Sequence, residues 1–152
     1  MHQINLSTLD ATKDLAARIA KCLRVGDIVA LKGPLGAGKT TLARYIIQGL
    51  GWMESEIPSP TFTLAQEYDF SKFTLWHFDM YRLEAPEDAL EIGVEEAFAT
   101  GVSLIEWPER LGSFLPPNHL ELALSYGDTE TQRRAVITAR DNWTKRLWEI
   151  SL

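Results

Sequence analysis

A run of eight residues, from Gly33 to Thr40, has the composition of a loop that holds phosphate groups. It reads GPLGAGKT and matches the Walker A pattern G-x-x-x-x-G-K-[ST]. Glycines let successive backbone N–H groups converge on one concavity, and a helix that opens at about Gly38 adds its positive dipole end. Lys39 would bring an ammonium to the β- and γ-phosphates, and the Thr40 hydroxyl can ligate magnesium. The segment therefore predicts phosphate binding.

Two acidic residues are candidates for the second half of such a site. Hydrolysis of a nucleoside triphosphate needs magnesium held by a further acid, which usually ends a strand beside the loop. Glu106 follows the short apolar run Val102–Ile105 and is the better magnesium candidate. Asp79 follows the run Phe73–Phe78 and could hold a metal-bound water or orient the attacking one. The alternative for both is a solvated acid at a strand end or a helix cap.

Three further residues have both a chemical and a structural interpretation. Thr61 lies on an irregular segment of the kind that senses the γ-phosphate in many phosphate-loop proteins, yet a threonine after proline is equally typical of a turn. His77 shares a strand face with Asp79, and core packing or support of the site is favoured over catalysis. Trp107 could stack on a ligand or a partner, although tryptophan at a strand end is more often packing.

The base and the reaction are less constrained than phosphate binding. The chain contains no Asn-Lys-x-Asp guanine-reading sequence, which argues against a standard GTPase and favours adenine. One alternative function is a small-molecule or nucleoside kinase. Such enzymes usually carry a lid with several arginines, and the late candidates for it, Arg110, Arg133 and Arg134, are not arranged as a lid. A non-catalytic module that senses ATP is the other alternative.

The elements that must position these residues alternate between strand and helix patterns. The predicted strands are Gln3–Leu6, Asp27–Leu31, Phe62–Tyr68, Phe73–Phe78, Val102–Ile105, Leu120–Ser125 and Arg134–Ala139. The predicted helices are Leu9–Leu23, one from about Gly38, a short one from Pro86 broken at Gly93, Val94–Ala99, Pro108–Leu111 and a final helix capped by Asn142. A strand–loop–helix unit beside two antiparallel hairpins predicts an α/β, P-loop NTPase-like mixed sheet flanked by helices on both faces. Ligand should then bind at the carboxyl ends of the parallel strands.

The overall composition limits the class of protein. The 152 residues predict a single domain over 1–152, with 45% hydrophobic and 24% charged residues as in ordinary globular proteins. A net charge of -6 disfavours direct binding to nucleic acid. No stretch approaches the length of a membrane span, and a lone cysteine excludes an internal disulfide. These features predict a cytoplasmic location.

Several motifs, taken in order, give the chain a resemblance to a known family. They are Gly33–Thr41, then Ser59–Leu64 (SPTFTL), His77–Leu83 (HFDMYRL) and Leu104–Pro108 (LIEWP). The first is shared by countless proteins, whereas the ordered set of the other three is far more specific. With these motifs, and over almost its whole length, the chain resembles the TsaE family, the small ATPases of the bacterial machinery that makes threonylcarbamoyladenosine in tRNA.

The resemblance implies a role for each matched residue. Thr40 and Glu106 would hold magnesium, Asp79 would be a catalytic carboxylate, and Thr61 would be the switch. Together with Lys39, the residues Asp79, Glu106 and Thr61 would form the catalytic set. The N-terminal segment and the last hairpin would flank the base, so the residues that bind the nucleotide would be Gly33, Gly36, Ala37, Gly38, Lys39, Thr40, Thr41, Leu9, Arg133 and Trp107.

The resemblance also implies cofactors and partners. The cofactors would be ATP and Mg²⁺. In this family the ATPase docks on the proteins that perform the tRNA chemistry, and hydrolysis is thought to reset them between turnovers. The expected partners are therefore the other subunits of the threonylcarbamoyl-transfer complex, with tRNA contacted only indirectly and no membrane. Turnover should be weak alone and stimulated by these partners.

Overall fold

A computed structural model describes residues 1–53, 56–61, 63–140 and 142–152. Within them, one seven-stranded sheet contains β1 (His2–Leu6), β2 (Ile28–Lys32), β3 (Ala65–Asp69), β4 (Thr74–Asp79), β5 (Val102–Glu106), β6 (Leu120–Tyr126) and β7 (Arg133–Thr138). The α-helices are α1 (Leu9–Cys22), α2 (Lys39–Gly49), α3 (Val94–Thr100) and α4 (Asn142–Glu149). Segments Pro86–Ile92 and Pro108–Phe114 are 3₁₀ helices. None of the helices in these ranges is both long enough and apolar enough to cross a membrane.

The sheet has a parallel centre and antiparallel edges. Its strand order is β1-β7-β6-β2-β5-β4-β3. β2 pairs in parallel with both β5 and β6, and β4 pairs in parallel with β5. β3 pairs antiparallel with β4 at one edge, and β6, β7 and β1 pair antiparallel at the other. The predicted mixed sheet with two hairpins is therefore confirmed, and the carboxyl ends of β2, β4 and β5 meet at one edge of the sheet.

Helices cover both faces of the sheet, as predicted. Successive side chains of a strand point to opposite faces, so Leu104 of β5 joins one apolar cluster and Ile105 joins the other. The first cluster contains the buried faces of α1, α2 and α4. The second contains α3 and residues of both 3₁₀ helices. This arrangement buries β2 and β5 on both sides and fixes where their last residues lie.

A buried ion pair anchors α4 to the beginning of β2. Arg146 donates from Nη1 to Asp27 Oδ1 at 2.7 Å and from Nη2 to Asp27 Oδ2 and the Cys22 carbonyl. Its guanidinium also lies 3.9 Å from the centroid of the Trp143 ring. The pKa of Arg146 is raised: burial alone would lower it, but the hydrogen bond and charge of Asp27 outweigh that effect. The pair joins the end of α1, the start of β2 and the C-terminal helix.

Some predicted boundaries were wrong. β3 begins at Ala65 and ends at Asp69, because Leu64 has a φ of 67° and its N–H donates to the Pro60 carbonyl in a turn. The predicted start of that strand, Phe62, lies outside the described residues. Asn142 is the first helical residue of α4 instead of its cap.

Candidate functional site

The loop between β2 and α2 has a shape that requires glycine. Gly33, Gly36 and Gly38 have φ values of 143°, 77° and 105°. A Cβ at Gly33 would lie 2.5 Å from the Leu124 carbonyl oxygen of β6, so the loop packs directly on the neighbouring strand. Left-handed residues in such a curl turn successive N–H groups inward, and α2 begins at Lys39 with its own free N–H groups. The loop therefore has the geometry of an anion-binding concavity.

The Lys39 side chain is folded back onto this loop. Its Nζ donates to the Pro34 carbonyl at 2.9 Å and to the Gly33 carbonyl, and it lies 4.2 Å from the centroid of the Trp107 ring. Lys39 is only 5% exposed. Burial lowers the pKa of this ammonium, while the nearby carboxylates, led by Glu106, act in the opposite direction. The site thus contains a buried positive charge that an anionic ligand would stabilise.

Glu106 joins the loop to the end of β5. Its Oε1 accepts a hydrogen bond of 2.7 Å from Thr40 Oγ1, although the two residues are 66 positions apart. Its Oε2 lies 2.7 Å from His77 Nε2, and the glutamate is 2% exposed. Both carboxylate oxygens of Glu106 are therefore held, Oε1 by Thr40 next to the loop and Oε2 by His77 in the core.

Asp79 occupies the matching position on the next strand. In the parallel register of β4 and β5 it lies opposite Glu106, and it is 4% exposed. Its Oδ2 accepts from Thr61 Oγ1 at 3.1 Å, and its Oδ1 accepts from the Tyr81 N–H at 3.0 Å. Ser59 Oγ lies 2.8 Å from Thr61 Oγ1. Because Thr61 donates to Asp79, its oxygen is the acceptor for the Ser59 hydroxyl.

These residues share one cleft of about 300 Å³. It is lined by Leu35, Gly36, Gly38, Lys39, Thr40, Thr41, Thr61, Asp79, Tyr81, Arg82, Glu106 and Trp107. Trp107 has a φ of 57°, and its ring stacks in a tilted contact with Tyr81 at 4.9 Å between centroids. The structure therefore brings together every sequence-predicted catalytic and metal-ligating residue.

A second cavity of about 280 Å³ lies on the other side of the loop. The predicted base-flanking residues Leu9 and Arg133 both line it, and so does Ala37. Arg133 Nη2 also donates to the Gly36 carbonyl at 3.2 Å. Residues Gly36, Gly38 and Thr41 line both cavities, so the two spaces are adjacent across the phosphate loop. Of the predicted set, Gly33 lines neither cavity and instead contacts β6.

A larger cavity lies elsewhere and has different chemistry. Its volume is about 750 Å³, and it lies between α1 and the last residues of the chain, with Arg18, Lys21 and Glu149 in its wall. It contains neither a glycine loop nor the strand-end acids of β4 and β5. Volume alone is therefore a poor guide to the chemistry here, and the smaller cleft is the candidate site.

The donor set of the cleft fits a magnesium nucleotide. Thr40 and Glu106 offer a hydroxyl and a carboxylate oxygen in contact, and Asp79 offers a second carboxylate at the same level. Among the described residues no group of three or more His, Cys, Asp or Glu is arranged to hold a metal ion by itself. Mg²⁺ commonly takes only one or two protein carboxylates and completes its shell with phosphate oxygens and water. The residues present match that pattern.

A comparison with solved structures defines the class of protein. The structure described as "Crystal structure of Bacillus subtilus YdiB" matches with a TM-score of 0.80 and 30% sequence identity, covering 99% of this chain and 93% of that one. The chain therefore has the P-loop NTPase-like α/β fold that its sequence predicted.

Sequence comparisons then define the family. Residues 6–136 match the family model described as "Threonylcarbamoyl adenosine biosynthesis protein TsaE". The chain is 42% identical over 138 residues to the tRNA threonylcarbamoyladenosine biosynthesis protein TsaE of Rickettsia conorii, covering 91% of this chain and 78% of that one. It is 35% identical over 153 residues to the protein of the same name from Bacillus subtilis, covering 98% and 94%. The chain belongs to the TsaE family, and the predicted resemblance is confirmed.

Contacts of Ser59 and of Tyr126 at the site were not predicted from the sequence. Ser59 lies in the quoted SPT motif, so its contact with Thr61 had a signal in the sequence. Tyr126 had none: its hydroxyl donates to the Leu35 carbonyl of the loop across 91 positions of chain. Tyr126 also packs against Arg133, with 5.3 Å between the guanidinium and the ring centroid. The β6–β7 hairpin thereby braces the loop between β2 and α2.

Proposed function

We propose that this chain binds ATP with Mg²⁺ in the cleft between the phosphate loop and the ends of β4 and β5, and that it hydrolyses the ATP. One observation carries the proposal: the 2.7 Å hydrogen bond from Thr40 Oγ1 to Glu106 Oε1. It places the last residue of the Walker A sequence against a strand-end carboxylate. A Ser or Thr of the loop and a strand-end acid together hold the magnesium ion in phosphate-loop enzymes.

Lys39 and the loop supply the phosphate contacts in this proposal. Lys39 is 5% exposed as a residue, and burial lowers the pKa of its ammonium because the charged form has lost water. Phosphate oxygens restore favourable charge contacts when Nζ exchanges its bonds to the Gly33 and Pro34 carbonyls for them. The N-terminus of α2 adds further N–H donors. The loop therefore favours a di- or triphosphate over a neutral ligand.

The two carboxylates take different roles. Glu106 and Thr40 would hold Mg²⁺, which when bound neutralises the charge that develops on the transferred phosphoryl group. Asp79 would orient the attacking water or hold a metal-bound one, and its fixed contacts to Thr61 and the Tyr81 N–H restrict its rotation. Thr61 would act as the switch, since its hydroxyl is the link between the Ser59–Thr61 segment and Asp79.

The adjoining cavity would take the adenine base. Leu9 is 63% exposed and presents an apolar side chain to a space that Arg133 also lines. A planar base can pack on an aliphatic side chain and on a guanidinium plane in such a space. The missing guanine-reading motif is a further reason to propose adenine.

Within the cell the chain would serve as an accessory subunit of the machinery that makes N6-threonylcarbamoyladenosine in tRNA. The proposal applies to this chain the role that the names of its relatives state. Its partners would be the other protein subunits, in the cytoplasm. The net charge of -6 supports indirect contact with tRNA, because phosphate backbones attract basic surfaces.

Phosphate release from ATP tests this proposal. We expect Mg²⁺-dependent turnover that is weak alone and rises when the partner subunits are added. Glu106→Gln should lower the rate of phosphate release by about 10²-fold or more, because the negative charge that would hold the magnesium ion is lost. Glu95→Gln, on the exposed first turn of α3, is the matched control and should leave the rate unchanged.

Three outcomes would contradict it. Turnover that survives Glu106→Gln would remove the magnesium role of that residue. Phosphate transfer to a small acceptor at rates far above phosphate release would identify a kinase. ATP binding without any hydrolysis, with partners present, would identify a sensing module.

A further inference from the structure

The imidazole of His77 is buried directly behind the carboxylate of Glu106. His77 lies on β4 two residues before Asp79, and it is 0% exposed. Asp79 is opposite Glu106 in the register of β4 and β5, and alternate residues share a face, so all three side chains project toward α2. The distance from His77 Nε2 to Glu106 Oε2 is 2.7 Å.

The contact with Glu106 identifies the donor atom of the His77 ring. An ionised carboxylate can only accept, so Nε2 of His77 is the donor to Glu106. Nδ1 has no hydrogen-bond partner among the described residues, and a proton on it would be a buried donor without an acceptor. His77 therefore directs the N–H of Nε2 at one oxygen of Glu106.

We propose that His77 is a positioning residue that holds Oε2 of Glu106, so that Oε1 alone is presented to the cleft. The inference rests on the proposed function, since Glu106 and Thr40 would hold magnesium there and Oε1 is the oxygen of Glu106 that lies beside Thr40. Thr40 holds Oε1 on the cleft side, so the restraint on Oε2 comes from His77. His77 contacts Oε2 from the core side and leaves the cleft side free.

The restraint matters because the last torsion of a glutamate is soft. Terminal carboxylate torsions are broad, and Mg²⁺ demands near-ideal octahedral geometry. Without His77 the carboxylate would keep only its contact with Thr40 and could turn about it, so Oε1 would be less well oriented toward the cleft. Binding of ATP without magnesium would depend on the loop and Lys39, with which His77 makes no hydrogen bond or ion pair among the described residues. Loss of the His77 contact should therefore weaken the magnesium-dependent step and spare the magnesium-free one.

Calorimetric titration with ATP, once in EDTA and once in Mg²⁺, separates these two steps. His77→Leu removes the donor at similar volume. We expect its affinity for ATP in EDTA to be unchanged, and the increase in affinity on adding Mg²⁺ to be lower than in wild type by about 10–100-fold. His77→Gln places an amide N–H near the position of Nε2 and should restore most of the gain. His77→Asn carries the same amide one bond short and should not. His2→Leu, on the exposed edge strand β1, is the control for loss of an imidazole.

The outcomes separate this inference from the proposed function. If the wild-type chain shows no magnesium-dependent gain at all, the proposed function is wrong and this inference is lost with it. If the wild type shows the gain and His77→Leu keeps it, only the positioning role is wrong. If His77→Leu does not fold, the Gln and Asn variants decide: equal behaviour of the two would contradict the proposal. Failure of His77→Gln to fold would also contradict it. The hydrogen bond alone would then be insufficient at this position, and the ring itself would be required.

Discussion

Replacing Arg146 by methionine should strongly destabilise the folded chain. Arg146 is 3% exposed, donates to both oxygens of Asp27 and to the Cys22 carbonyl, and lies against the Trp143 ring. Removing it leaves the Asp27 charge buried, with the Arg24 N–H at 2.8 Å as the one remaining hydrogen-bond donor to its side chain among the described residues. Removal of one partner of a buried pair costs about 3–5 kcal/mol. For a chain of this size that cost lowers the melting temperature by about 6–20 °C.

Urea unfolding followed by tryptophan fluorescence measures the effect, and a double variant tests its cause. In Asp27→Asn/Arg146→Met the buried charge is gone, while the amide oxygen can still accept from the Arg24 N–H. The double variant should therefore be more stable than Arg146→Met alone, with a coupling energy of about 1–3 kcal/mol. Arg134→Met is the matched control: its partner Asp128 is 81% exposed, so the loss should be at most about 1 kcal/mol.

Additivity would refute this reasoning. If Asp27→Asn and Arg146→Met simply add, the cost of the single change does not come from an uncompensated charge. It would then come from packing of the guanidinium on Trp143, and the assignment of the ion pair as the anchor of α4 would be wrong.

Four further substitutions test the loop and its buried charge. Because burial lowers the pKa of Lys39 in the folded state, the unfolded chain binds more protons between the folded and unfolded pKa values, and stability from this group rises with pH there. Relative to wild type, the free energy of unfolding of Lys39→Met should therefore be highest at neutral pH, and this advantage should shrink toward pH 10.5. Urea unfolding at both pH values measures the difference. Gly33→Ala should cost about 2–6 kcal/mol from positive-φ strain and the clash with the Leu124 carbonyl. Gly38→Ala, with no atom within 4 Å of its Cβ, should cost only about 1–2 kcal/mol; equal melting temperatures for the two glycine variants would contradict the clash. Tyr126→Phe removes one hydrogen bond to the loop and should weaken ATP binding about 2–12-fold in calorimetry, with little change in melting temperature; unchanged affinity would mean that the hairpin does not brace the loop.

The strand–loop–helix unit and its acids could be predicted because their signals are local. An apolar run followed by Asp79 or Glu106 places an acid at a strand end wherever that strand lies in the sheet. Parallel pairing then brings strand ends to the same edge, so the predicted cleft follows from general topology. The predicted covering of both faces by helices follows in the same way from doubly buried strands such as β2.

Contacts that depend on register or on distant segments could not be predicted. Arg146 and Asp27 are 119 residues apart, and neither has a sequence pattern that indicates burial. The link from His77 to Glu106 requires knowing that β4 and β5 are neighbours, which the sequence does not state. The start of β3 was misplaced because the turn at Leu64, a leucine with positive φ, has no sequence signal.

A calorimetric titration of the folded wild-type chain with ATP in the presence of Mg²⁺ tests the central claim most directly. If the glycine loop and the carboxylates of Glu106 and Asp79 form one nucleotide site, the titration should show a single saturable binding event whose affinity drops when Mg²⁺ is withheld. A folded chain that takes up no ATP, or binds it equally well with and without the metal, would contradict the account.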